Sequence, residues 1–212
     1  MLTLFEELFI LTIRDGQSVV IPPIKGKLPY GLTGAILDEL VLQSKVQVNQ
    51  NHRLEVVDAS NTGDEILDKA LRDLQDTDRP RKAVYWVELF STRPKKFQKR
   101  LFDRMVSCGV LLNEDDNIRW AIPSKVYTDQ NASAKYCIKD RLRSIVLADR
   151  EMDLRSLTLL SILQASNSLK LVYTKDERQE ARQRIHELLV SEALKNPVAQ
   201  VIEEIQTAVA SQ

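Results

Sequence analysis

Residues that staple or break a chain are scarce here: two cysteines, six glycines and seven prolines in 212 residues. Cys108 and Cys137 stand far apart, with no CxxC pair and no neighbouring histidine pair. That spacing excludes a disulfide framework or zinc knuckle and suits a reducing, cytoplasmic compartment. Charge of one sign is missing too, since thirty Lys and Arg offset thirty Asp and Glu. A chain coated in positive charge for nucleic acid is thereby excluded, and any anion site must be a local patch. No run reaches the roughly eighteen uncharged apolar residues of a membrane span, so membrane contact would be peripheral. The apolar run Met1 to Ile13 carries Glu6 and Glu7 and lacks a basic start and a cleavage site, so it reads as a core helix. P-loop, GxGxxG, HExxH and GxSxG strings are absent, and there are two histidines. General-base choices are thin, and the chain reads as a binding protein with no catalytic residues, cofactor or metal.

What is present is a globular balance, 43% hydrophobic and 28% charged, expected to fold as a single domain over residues 1–212. Thr3 and Glu6 form a capping box, and Leu4, Leu8 and Leu11 follow at helical spacing. Val19 to Ile21 ahead of Pro22 reads as a short strand, followed by a loop with Lys25, Lys27, Pro29 and Tyr30. A helix from Gly34 presents Ile36, Leu37, Leu40 and Val41. Around Asn49 to His52 the chain then alternates in period two, as a hairpin does. Thr62 and Glu65 make a second capping box for a stripe of Ile66, Leu67, Ala70, Leu71 and Leu74. A helix bearing Trp86 follows, then another bearing Phe97, Leu101 and Met105. Val110 to Ile122 reads as a second hairpin, Tyr127 to Lys135 as a loop, and Ile138 to Val146 as a helix. Leu157 to Leu169, apolar on all sides with small residues interspersed, suits the heart of the core. A charged helix from Asp176 and a last one capped by Asn196-Pro197 complete the chain. The expected fold is mainly α, a compact helical domain with two or three short β-hairpins.

Leu2 to Leu8, Gly31-Leu32-Thr33-Gly34 through Leu40, Thr62-Gly63-Asp64, Trp86 to Leu89, Gly109 to Leu111, Met152 to Arg155 and Ala165-Ser166 occur in an order and spacing that resembles the Golgi phosphoprotein 3 family. The resemblance spans nearly the whole chain and fits a bacterial relative. It implies a peripheral membrane adaptor that binds phosphatidylinositol 4-phosphate on a cytosolic membrane face and holds the cytosolic tails of membrane proteins. Family members self-associate through hairpin contacts, so a homo-oligomer using the edge of the second hairpin is part of the same expectation. The family's headgroup pocket maps to Ile24, Thr33, Lys95 and Gln98, of which Lys95 alone keeps a cation. A phosphomonoester is gripped best by bidentate Arg, so losing these cations weakens the headgroup grip by about a few kcal/mol. Lys25, Lys27 and Lys99, with Lys95, still supply positive charge for an anionic phospholipid surface, at about 1 kcal/mol for each cation near it.

Each candidate has a plainer reading. The cluster Arg93 to Arg100 also reads as the solvated face of an amphipathic helix. Leu28 and Tyr30 either dip into a bilayer beside the lysines or pack on the domain. Trp86 and Trp120 sit among apolar neighbours as core anchors, and His52 and His186 read as surface residues. Asp115-Asp116 and Asp149 to Glu151 fall in turns, where acids solvate and cap. The rival function is a nucleic-acid-binding regulator, because helix followed by hairpin, found twice, is the order of a winged helix-turn-helix. Against it, a recognition helix over Gly34 to Ser44 would carry Asp38 and Glu39 toward phosphate. The second copy is more basic and keeps the rival open.

Overall fold

The structure, a computed structural model, describes residues 2–12, 27–91 and 129–212. In chain order these form helices α1 (Leu4–Thr12) and α2 (Leu28–Leu42), the hairpin β1 (Val46–Val48) and β2 (Leu54–Val56), and helices α3 (Glu65–Gln75), α4 (Ala83–Ser91), α5 (Asp129–Leu147), α6 (Leu154–Ala165), α7 (Arg178–Ala193) and α8 (Pro197–Ala210). A 3-10 turn at Leu169–Leu171 separates α6 from α7. The architecture is mainly α, as expected, and the described residues hold one hairpin. The second hairpin expected at Val110 to Ile122 lies outside them.

Helix α1 and the long stretches of α2 and α6 have no face to offer to water. In α2, every residue from Gly31 to Val41 is buried, and in α6 every residue from Ser156 to Leu163. The centre expected at Leu157 to Leu169 is thus shared with α2. Helix α8 packs against both, and α1, α3, α4, α5 and α7 close around the trio. Buried hydroxyls in α6 and at its end are satisfied locally. Thr158 Oγ1 donates to the Leu154 carbonyl at 2.7 Å, Ser161 Oγ to Thr158 at 2.8 Å and Ser166 Oγ to Ile162 at 2.7 Å. A Ser- and Thr-bearing helix can therefore sit in the interior without orphaned donors. Both central helices end in the same way, with a non-glycine residue in the left-handed region, Ser44 at φ 57° and Asn167 at φ 55°. The next N–H turns back onto the helix, Lys45 to the Leu40 carbonyl at 2.9 Å and Ser168 to Leu163 at 2.7 Å.

Caps set most boundaries. Thr3 and Glu6 make the expected box, with Thr3 N donating to Glu6 Oε2 at 2.7 Å and Glu6 N to Thr3 Oγ1 at 3.4 Å. Asn196 caps α8 by accepting from Val198 N at 3.0 Å, and Asp153 caps α6 by accepting from Ser156 N at 2.8 Å. At α3 the expected Thr62–Glu65 box is replaced. Asp64 is the cap, accepting from Ile66 N at 2.8 Å, while Thr62 turns its hydroxyl to Asp68 at 2.7 Å. Two helices also start earlier than their apolar pattern predicts. Helix α2 begins at Leu28, with Pro29 in its first turn, where a missing N–H costs nothing. Helix α5 begins at Asp129, inside the stretch expected to be a loop.

The hairpin pairs Val46 with Val56 and Val48 with Leu54. Asn49 Oδ1 organises its turn by accepting from Asn51 N at 3.0 Å and Arg53 N at 3.2 Å. Lys45 Nζ closes its base, donating at 2.6 Å to both Asp58 and Ser60. That ammonium is the main reason the Asp58 carboxyl is lowered to about 2. Arg143 of α5 grips Glu177 with two bonds of 2.7 and 2.6 Å and so ties the segment after α6 to the core.

Two glycines of α2 mark where its backbone meets a neighbour. A Cβ on Gly31 would lie 2.7 Å from Ser166 Cβ, and one on Gly34 would lie 2.8 Å from Val209 Cγ2. Helix propensity alone favours Ala over Gly by about 0.8–1.0 kcal/mol. The contacts reverse that sign. Gly31→Ala and Gly34→Ala are each expected to destabilise by about 1–3 kcal/mol, the range for overpacking, with Gly31→Ala the more costly because Ser166 Cβ moves only with its backbone. Urea denaturation midpoints at or above that of the parent would contradict this packing.

Candidate functional site

The expected site residues divide sharply. Ile24, Lys25, Lys95, Gln98 and Lys99 lie outside the described residues, as do Arg93 to Arg100, Trp120 and Asp115-Asp116. Lys27, Leu28, Tyr30 and Thr33 are described, and they sit together on the first turns of α2 instead of on a loop. Lys27 immediately precedes the helix, and its carbonyl accepts from Gly31 N at 3.0 Å. Its ammonium donates to the Ala210 carbonyl at 2.6 Å, at the C-terminal end of α8. A cation there complements the negative end of α8, and the acceptor is neutral, so this contact leaves the charge of Lys27 uncancelled. The positive end of the α2 dipole adds to it.

Leu28 and Tyr30 are half-buried and pack against the core. Thr33 is buried, and its hydroxyl is already engaged, donating to the Pro29 carbonyl at 3.2 Å. The position that carries Arg in the resembled family is therefore occupied here by a side chain turned inward. Helix, proline and the Lys27 contact hold this end of α2 in place, and its chemistry is that of a fixed positive corner with an apolar shoulder.

Sequence reading missed the charged groups that fix α2. Asp38 and Glu39, weighed in the sequence only as charges that would repel phosphate, are both buried. Arg155 of α6 reaches Glu39 with two bonds of 3.1 Å and also donates to the Leu2 carbonyl. Glu39 Oε2 accepts from the Leu4 N–H at 2.8 Å, so one carboxylate serves the start of α1 and the guanidinium of α6. Beside it, Arg141 of α5 donates to Glu7 at 2.6 Å. Burial pushes the Glu7 carboxyl up, while Arg141 pulls it back. Asp38 meets the Gln206 amide of α8. The available signal was the placement of an adjacent acid pair inside a run apolar on all sides: such a helix must bury them, and buried charge must find partners.

This burial also removes the first of the two elements behind the rival reading, the second lying outside the described residues. A recognition helix has to enter a groove with its surface free. Helix α2, the first candidate, has eleven consecutive buried residues and cannot do so. Trp86 is 1% exposed and anchors α4 in the core, its ring flanked by Tyr85 and Phe90 of the same helix, and His52 is exposed at the hairpin tip. Among the described residues no group of three His, Cys, Asp or Glu could hold a metal, and no helix is long and apolar enough to cross a membrane.

The Glu39–Arg155 pair is nearly enclosed, with side chains 6% and 17% exposed. Removing one partner strands the other, at a cost of about 3–5 kcal/mol. Arg155→Met is therefore expected to destabilise by that amount, and Arg155→Met with Glu39→Gln by less than the two single changes together. Additive urea-denaturation energies would show that the two groups act independently.

Comparison with known proteins bears on the same segments. A family model described as Golgi phosphoprotein 3 (GPP34) matches residues 4–205, from the first residue of α1 into α8. Vacuolar protein sorting-associated protein 74 of Eremothecium gossypii is 33% identical over 175 residues, covering 73% of this chain and 51% of that protein. The chain thus spans about half the length of this relative. With the match running through α1, the glycine-bearing α2 and the central α6, the chain belongs to the Golgi phosphoprotein 3 family.

Proposed function

We propose that the chain is a peripheral membrane adaptor that attaches to anionic phospholipid through the corner at the start of α2 and holds cytosolic tails of membrane proteins. Membership of the Golgi phosphoprotein 3 family over residues 4–205 carries this reading. The position of Lys27 supports it, since its cation and the N-terminal end of α2 stand together at one edge of the helical core. Lys25, Lys95 and Lys99 join that patch in the proposal, with Ile24 and Gln98 beside them and Leu28 and Tyr30 as the apolar shoulder.

Thr33 shapes the specificity. Its hydroxyl bonds inward and its side chain is buried, so it contributes no guanidinium fork to a phosphate. Attachment then depends on summed positive charge more than on one headgroup. Coulombic attachment of this kind is screened over about 8 Å at physiological ionic strength, whereas a closed headgroup pocket resists salt better.

Flotation with liposomes of graded anionic content tests the proposal. Binding is expected to rise with the anionic fraction and to fall from low to high salt. Lys25→Glu with Lys95→Glu removes two attractive charges worth about 1 kcal/mol each and adds two repulsive ones, so affinity should drop by at least about 30-fold. Circular dichroism of the variant should match the parent. Equal flotation of a folded double variant would move the membrane-contacting surface elsewhere.

A further inference from the structure

Asp38 is the one wholly buried carboxyl of α2, at 0% exposure, and the structure gives it an amide for a partner instead of a cation. Gln206 Nε2 donates to Asp38 Oδ2, yet Asp38 Oδ1 and Gln206 Oε1 both remain buried without a partner. An ionised carboxylate offers acceptors only, so it can never serve the amide oxygen. Turning the amide over exchanges its two ends and changes nothing, because one of them is always an acceptor. The missing component is a donor for these orphaned acceptors.

We propose that Asp38 is held as a neutral carboxylic acid whose proton is donated to Gln206 Oε1, making the seam between α2 and α8 a proton-dependent latch. With that proton in place the acid and the amide exchange two hydrogen bonds and both orphaned oxygens are satisfied. The surroundings agree. Burial raises the Asp38 carboxyl well above its ordinary value, the Gln206 bond lowers it, and Glu39 on the same helix raises it further. Of the elements packed on α2, α8 brings the uncharged Gln206, α6 brings Arg155, which Glu39 takes, and α1 brings Glu7, which Arg141 of α5 takes. No charged group of α3, α4 or β1 acts on Asp38. The latch sits in the seam that Lys27 and Ala210 close at one end, and it stands independently of any lipid.

The sign follows from linkage. A carboxyl raised in the folded state binds its proton more tightly there than in the unfolded chain. Its contribution to stability is full below the ordinary value of 3.8 and is lost as pH rises through the raised folded value. Asp38→Asn replaces the acid by a neutral group of the same shape that can both donate and accept. The full-length variant is expected to melt within about 2–4 °C of the parent at acidic pH and to gain on it steadily as pH rises. Infrared spectra of the unaltered chain at neutral pH should contain the carbonyl stretch of a protonated carboxyl group, and the parent-minus-variant difference should assign that band to Asp38. The absence of such a band from the parent, its persistence in the variant, or failure of the variant to fold would each overturn the proposal.

Discussion

A carboxylate removed from water must be compensated at the point of burial, and in this fold that point is Glu39. Its two oxygens receive the guanidinium of Arg155 and the first amide of α1, so three chain segments converge on one side chain. The consequence is directional. Burial of apolar area is non-directional, so by itself it leaves the position of α1 along the core weakly specified. Hydrogen bonds at 2.8 and 3.1 Å are directional, and they fix where α1 starts, how α2 is rotated and which turn of α6 faces them.

Asp38, one residue earlier, meets the same electrostatic problem with different neighbours. Glu39 finds a cation within reach, whereas Asp38 finds only an amide. Two adjacent acids on one buried helix thus illustrate two responses to desolvation, pairing and neutralisation. Gly31 and Gly34 let the same helix approach Ser166 after α6 and Val209 of α8 closely.

Legibility of the sequence followed local periodicity and failed where partners are remote. The stripe of α3 was readable because its polar face is distinct, and the caps at Thr3 and Asn196 because a cap and its recipient lie within three residues. The start of α2 was obscured by Pro29, Gly31 and Gly34, which look like breakers but serve a first turn and two close contacts. Thr62 and Glu65 imitate a capping box two residues before the real cap, Asp64. The opening of α5 carries no apolar period at all, so nothing local announced it. Of the candidate site, Lys27 was recognisable as part of a positive stretch. Its acceptor at Ala210 is 183 residues away, and the partners of Glu39 and Asp38 are 116 and 168 residues away. No window of sequence contains both halves of such an interaction.

Helix α1 has a consequence for how the chain comes off the ribosome. All nine of its residues are buried; Glu39 of α2 holds its first N–H, while Arg141 and Arg155, which grip Glu7 and the preceding Leu2 carbonyl, lie 134 and 153 residues further along. During synthesis α2 follows soon and covers part of α1, whereas α5 and α6 complete that cover much later. An apolar segment only partly covered for that interval is exposed to aggregation, and contacts of such sequence separation form slowly because loop closure precedes any gain from them. Helix α1 therefore settles fully only once α6 has been made, and its remaining apolar surface depends until then on shielding by a chaperone or by transient collapse.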